Sequence, residues 1–388
     1  MIFKSYSDNN FAKFGLIAAA ILILSNYYYF YFYDFAQGQI LGSNSAWFLT
    51  KIMALMIFYS LLLSPVLRTR FRAVDIILFL TLCYFLIIIL LRRMVWDTGG
   101  GYMVFNMFMC VIPFFIFERN KNIGRIFFFL DACLIILILQ VFIDTSIFLY
   151  GSSLWENNAF IGGMGNPSSF GIICSIFLAY NLFLSSNKLF KLIVSTVLLY
   201  GILMTSSMMS LFMAVLVIFT WIWTLKKTYF LILLVLSVLI AIYTYEHLLS
   251  NHLIYKLHSL FLLDVDDPSR SVSLRIENYD LFFDQLINNF MKVLLWGYDD
   301  TFYYIADSQY LTFIGNFGLL FSLIFFATYI WYGLIAYRMK NMFGYFSVLV
   351  LVIFMLVFFT NRILDYYPVP LILFLTIMLP RSINRDFG

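Results

Sequence analysis

The chain has 388 residues, of which 63% are hydrophobic and only 11% charged. A water-soluble domain is about half apolar and about a quarter charged, so that class is excluded and a lipid bilayer is the expected solvent for most of the chain. The net charge of +4 excludes little by its size; in a membrane protein the placement of charges carries the information.

Taken in order, Lys4 and Lys13 come first, and an apolar run extends from Phe14 to Phe32. That run is too long for the core of a signal peptide and no small-residue cleavage site follows, so it is expected to be a retained first span. Recurring apolar runs predict spans near 14–33, 46–64, 74–91, 101–117, 126–148, 168–184, 189–204, 207–225, 229–245, 309–336, 343–360 and 366–380. The stretch 189–225 is too long for one crossing, and "TSSMMS" at 205–210 breaks it. Basic residues flank both ends (Lys188 and Lys191, Lys226 and Lys227), which implies a tight helical hairpin.

Twelve spans place both termini on one side. On that side fall 16 of the 24 Lys and Arg, and on the other fall 15 of the 20 acids. The expectation is therefore an all-α integral membrane protein of about 12 transmembrane helices with both termini cytoplasmic, forming a single polytopic domain over 1–388.

Most connections are short. The exception is about 246–307, a large outer, periplasmic loop with four Lys or Arg and ten Asp or Glu. Part of it predicts a helix: Ile276, Tyr279, Phe283, Leu286, Ile287 and Phe290 share one face, and Asn278, Asp284, Gln285 and Asn288 another. Such a helix either lies on the membrane surface or caps the bundle, and Arg275 sits at the edge of its apolar face. A second outer loop, 149–168, carries "GGMGNPSS". It is either a turn before a membrane helix or a rigid wall of a substrate cleft. Cys83, Cys110, Cys133 and Cys174 all lie in apolar runs and read as small buried hydrophobes.

Motifs for nucleotides and metals are missing. There is no GxxxxGK[ST] loop, and "GGMGNP" opens no βαβ unit. His247, His252 and His258 are spaced by 5 and 6, which points them in different directions on a helix and makes a poor metal site. "DVDD" at 264–267, followed by Pro268, reads as an acidic turn.

Three arginines stand against the charge rule. Arg92 and Arg93 fall at the outer end of the third span beside Trp96 and Asp97, and Arg362 lies in "TNRILDYYP" between the last two spans. They either snorkel and pair with Asp97 and Asp365 or form a guanidinium cluster for a phosphate at the outer interface. Asp307 opens "DSQYLTFIGNFGLL", where the outer loop meets a span. A partly desolvated carboxylate there suits proton abstraction from a hydroxyl; the alternative is a helix N-cap.

This combination resembles the bacterial O-antigen polymerase and ligase superfamily. The resemblance rests on a many-span layout with one dominant late outer loop, on Arg275 followed by the turn "LLWGYDD", and on Asp307 and Ser308 followed by nine residues and Gly318. Asn166 and Pro167 in "GNPSSF" resemble the family's earlier outer loop. There are departures: no Arg precedes the asparagine–proline, and Met208 stands in "TSSMMS" where relatives often show Ser-Arg.

What the resemblance implies is an O-antigen polymerase, a glycosyltransferase that joins undecaprenyl-diphosphate-linked oligosaccharides at the periplasmic face of the bacterial inner membrane. It implies no cofactor, metal or nucleotide, and a chain-length regulator protein as a partner. Asp307 is the implied catalytic group, with Arg275, Arg92, Arg93, Arg362 and Asn166 as implied substrate-binding residues. An aspartate at 307 is similar to polymerases, where ligases resemble each other in a histidine. The rival expectation is a polysaccharide transporter or flippase. Asp75 and Asp131 lie near the cytoplasmic ends of their spans, whereas transporters place ionisable groups near the midplane.

Overall fold

The structure, a computed structural model, describes residues 10–28, 45–67, 72–96, 102–119, 123–151, 155, 158–225, 270–297, 306–364 and 366–376. The expected span 229–245, the three histidines, "DVDD", Asp97 and Asp365 lie outside the described residues.

The described residues are almost wholly helical. In chain order they give α1 (Asn10–Leu24), α2 (Ser45–Leu62), α3 (Ala73–Trp96), α4 (Tyr102–Ile116), α5 (Ile123–Leu149), α6 (Pro167–Leu184), α7 (Lys188–Met204) and α8 (Met208–Leu225). They continue with α9 (Arg270–Asn288), α10 (Phe290–Leu295), α11 (Gln309–Phe317), α12 (Leu319–Tyr337) and α13 (Met342–Thr360). Among the described residues, five stretches are long and apolar enough to cross a membrane: Ala73–Arg92, Gly124–Leu149, Pro167–Leu184, Leu319–Tyr337 and Met342–Thr360. The 20 residues of the first of these make a rod of about 30 Å, the thickness of a bilayer's hydrocarbon core.

Two features depart from the expected run of spans. The stretch expected to cross as one helix at 309–336 is split at Gly318 into the short α11 and the membrane-length α12. Gly318 has φ 82 and ψ 157, a backbone region open only to glycine. The second departure is a short antiparallel ribbon, β1 (Leu63–Leu67) with β2 (Phe117–Arg119), which joins the ends of α2 and α4. Pro65 cannot donate to a ladder, which suits a strand that is an edge by construction.

The contacts separate two compact units, with the boundary falling inside α5 at Cys133–Leu134 and inside α9 at Leu274–Arg275. One unit runs over 134–274. In it α6 packs against both α7 and α8. Asn166 caps α6, its side chain accepting from Ser169 N, and Pro167 takes the first helical position, where a missing N–H is harmless. The expected break between α7 and α8 is a three-residue turn, Thr205–Ser207, in which Ser206 has φ 51. Asn181 on α6 donates to Lys191 O at 2.9 Å and to Ser195 Oγ at 3.0 Å on α7, so a buried amide fixes that helix pair.

The other unit holds 3–133 and 275–388. Its centre is aromatic. Phe85 of α3 stacks on Phe317 of α11 at 4.1 Å, and Phe313, Phe325 and Tyr329 continue the cluster along α11 and α12. Asp75, fully buried, accepts from Arg72 N at 3.2 Å at the start of α3 and from the Tyr332 hydroxyl of α12 at 2.6 Å. A carboxylate in an apolar helix is thus spent on a cap and a cross-helix tie. The four cysteines are free; Cys110, Cys133 and Cys174 are buried and Cys83 is half-buried.

Candidate functional site

The segment that begins with Asp307 is fixed by its neighbours. Ser308 caps α11: its side chain accepts from Leu311 N, and its hydroxyl donates to Phe358 O at 3.0 Å. Gln309, also buried, accepts on Oε1 from Leu364 N at 2.9 Å, and its Nε2 meets no hydrogen-bond partner among the described residues. Tyr310 donates to Met355 O at 3.0 Å. Thr312 closes the turn from below, accepting from Ala306 N and donating to Ala306 O, both at 3.1 Å.

Asp307 itself is exposed, between buried Ala306 and buried Ser308. The structure therefore corrects the expectation that this residue caps the helix. It is an exposed residue and not the helix cap. The cap falls one residue later because Ser308 has the extended backbone that aims a short hydroxyl at the free N–H groups of the first turn. What remains is a solvent-facing carboxylate on a rigid stretch of chain.

The segment bonded to Ser308 and Gln309, 358–364, carries Arg362. Arg362 is half-buried, and its Nε and Nη1 are closed off from solvent. A third element arrives at the same place: on α9 the Tyr279 hydroxyl donates to Phe359 O at 3.2 Å. Arg275 lies four residues before Tyr279, about one helical turn, and its side chain is outside what the structure describes. The elements bearing Asp307, Arg362 and Arg275, far apart in sequence, thus meet on one short connector.

Arg92 belongs to the other end of α11. Its side chain is 8% exposed; Nη1 donates to Asn316 Oδ1 and Nη2 to Trp296 O, both at 3.1 Å. Asn316 lies seven residues after Gln309, roughly 10 Å along the helix. Tyr84, also on α3, donates to Leu295 O at 2.5 Å. The turn "LLWG" and the break at Gly318 are packed backbone to backbone. A Cβ on Gly318 would lie 2.6 Å from Leu295 C, and one on Gly297, where φ is 91, would overlap the Gly315 carbonyl. Arg92 is a clamp across that contact; the expected partner Asp97 lies outside the described residues. Arg93 follows on α3, with its side chain outside the described ones.

Asn166 lies in the unit 134–274 and is occupied as the cap of α6. Beside it sits a residue the sequence did not single out. Asp144, buried, accepts from Ile161 N at 2.9 Å and Gly162 N at 2.8 Å and so holds the "GGMGNP" loop by its backbone. The signal was there: an acid near the outer end of an apolar run, just ahead of a glycine-rich loop. Ser168, Ser207 and Ser210 join the start of α6 to the start of α8 through hydroxyl contacts of 2.9 to 3.5 Å. Among the described residues no group of three His, Cys, Asp or Glu is placed to hold a metal ion. Compared with protein-family models and with the curated proteins, the chain matches none.

Proposed function

We propose that the chain is a membrane glycosyltransferase of the O-antigen polymerase kind, joining undecaprenyl-diphosphate-linked oligosaccharides at the periplasmic face of the bacterial inner membrane. The observation that supports this reading is the meeting of three elements on the connector 358–364: the Ser308–Gln309 segment behind Asp307, the connector's own Arg362, and α9 with Arg275. In the proposed reaction a hydroxyl of one oligosaccharide attacks the anomeric carbon of the other. The new C–O bond forms as the bond to the diphosphate breaks, and the hydroxyl proton passes to Asp307. Exposure suits that role, because a substrate hydroxyl must reach the carboxylate. Charge developing on the leaving diphosphate is met by Arg275, whose planar fork can grip two oxygens at once, and by the positive charge of Arg362 on the connector. Arg92 serves the site from behind by holding α11 against the turn at Trp296.

A second reading, a transporter of lipid-linked saccharide, draws on the broken helix at Gly318 and its buried Gln309, Thr312 and Asn316, since transporters bind substrate at discontinuous helices. One experiment separates the two. Purified protein is given the lipid-diphosphate oligosaccharide in detergent, and the same lipid is placed in sealed vesicles carrying the protein. Ladders of regular spacing in detergent support the polymerase. Movement of the lipid across the vesicle bilayer with no ladder, from protein shown to be folded, overturns it in favour of transport.

A further inference from the structure

The surface of α9 divides into three flanks. Successive helical residues turn by roughly 100°. Asn278, Tyr279, Phe282, Gln285 and Leu286 form the half-buried flank that faces the rest of the chain. Glu277 and Asp284 form an exposed acidic flank, with Asp280, seven residues before Ile287, at its border with the next flank. The third flank is apolar and equally bare: Phe283 is 53% exposed and Ile287 78%, and Phe290 and Met291 extend it into α10 at 51% and 65%.

We infer that α9 lies along the boundary of the bilayer, with Phe283, Ile287, Phe290 and Met291 immersed among lipid acyl chains and the acidic flank in water. Two observations select lipid as the occupant. The first is continuity. Tyr279 ties α9 to Phe359, which is 55% exposed and ends α13, a helix of membrane length. The bare apolar flank therefore continues the outward surface of a helix whose own outward surface meets lipid. The second is charge. A second copy docking through the same flank would bring its acidic row beside this one, because a two-fold contact pairs like with like. A helix with an apolar flank beside a charged one fits the boundary between hydrocarbon and water, immersed by about 5–10 Å. The acids also mean that apolar area and not attraction to anionic headgroups holds it there.

The test uses the full chain, with the half-buried Cys83 replaced by alanine, reconstituted in phosphatidylcholine vesicles. Nitroxide labels at Ile287→Cys and, separately, Glu277→Cys report collisions with oxygen, which concentrates in lipid, and with a water-soluble nickel chelate. The expected result is oxygen-dominated relaxation at 287 and nickel-dominated relaxation at 277, with a severalfold difference in the ratio. It should be unchanged by salt or by added phosphatidylglycerol. Nickel-dominated relaxation at both positions overturns the inference. So does low access to both reagents at 287: with dipolar broadening it assigns the flank to a second copy, and without it to another segment of the same chain. None of these readings depends on catalysis.

Discussion

Arg92 on α3 donates to the side-chain oxygen of Asn316 on α11 at 3.1 Å, across 224 positions of sequence. The same guanidinium holds the Trp296 carbonyl at 3.1 Å, and Asn316 returns a bond to Thr312 O at 2.6 Å. One cation therefore fixes the last turn of α11 against the turn that precedes it in the chain. A charge in an apolar environment is costly unless its donors are met, and here a rigid fork meets two acceptors on two segments.

Removing the acceptor is expected to do more harm than removing the charge. Asn316→Leu leaves a buried guanidinium short of a partner and should lower stability by roughly 3 kcal/mol. Arg92→Met removes the charge with it and should cost less. The double variant should fall short of the sum by about 1–3 kcal/mol. Thermal unfolding in detergent measures all three, and strictly additive values would remove the clamp from the account.

Gly318→Ala should be among the most harmful single changes in the unit 3–133 and 275–388. Its φ of 82 excludes a side chain, and the new Cβ would lie 2.6 Å from the Leu295 carbonyl carbon. Backbone strain alone is about 1–3 kcal/mol, and the neighbour is backbone that cannot swing away. A sharply lower melting temperature or loss of folded protein is expected. A melt equal to that of the parent would show that the break is soft.

Asp307 and Ser308 make opposite forecasts. Ser308→Ala removes the cap of α11 and should cost about 1 kcal/mol of stability. Asp307→Asn changes an exposed side chain and should leave the melt unmoved, while chain growth falls by roughly a hundredfold or more if the carboxylate takes the proton. Polymer ladders at the parent's rate from Asp307→Asn, with the melt unchanged, would leave Asp307 without a catalytic part.

The proposed orientation is checked by cysteine labelling in intact cells. A cysteine at Ser259 should react with an impermeant reagent from outside, and one at Lys340, exposed between α12 and α13, should react only after permeabilisation. Labelling of position 340 from outside reverses the proposed topology.

The helices were legible because a bilayer leaves little choice. Each backbone N–H and C=O must be met within the segment, so an apolar run of about 20 residues is a helix whatever surrounds it. Hence α3, α5, α6 and α13 stand where the apolar runs place them, and "TSSMMS" breaks α7 from α8 as its hydroxyls suggest. Asn166–Pro167 likewise announced the start of α6 through purely local chemistry.

The remaining features depend on partners remote in sequence. Nothing in the apolar run around Gly318 distinguishes a tolerated glycine from a compulsory one; the Leu294–Leu295 backbone pressed against it does. Ser308 and Asp307 are both good caps by type, and only the backbone angles choose between them. Arg92 reads the same whether it awaits a phosphate or grips Asn316, because a side chain's composition is local and its acceptors are not. Composition and apolar period determined that this chain is helical and made for a membrane. Tertiary packing alone decided which of its few charges are buried, like Arg92, and which, like Asp307, are exposed, since that depends on where distant segments bring their hydrogen-bonding groups.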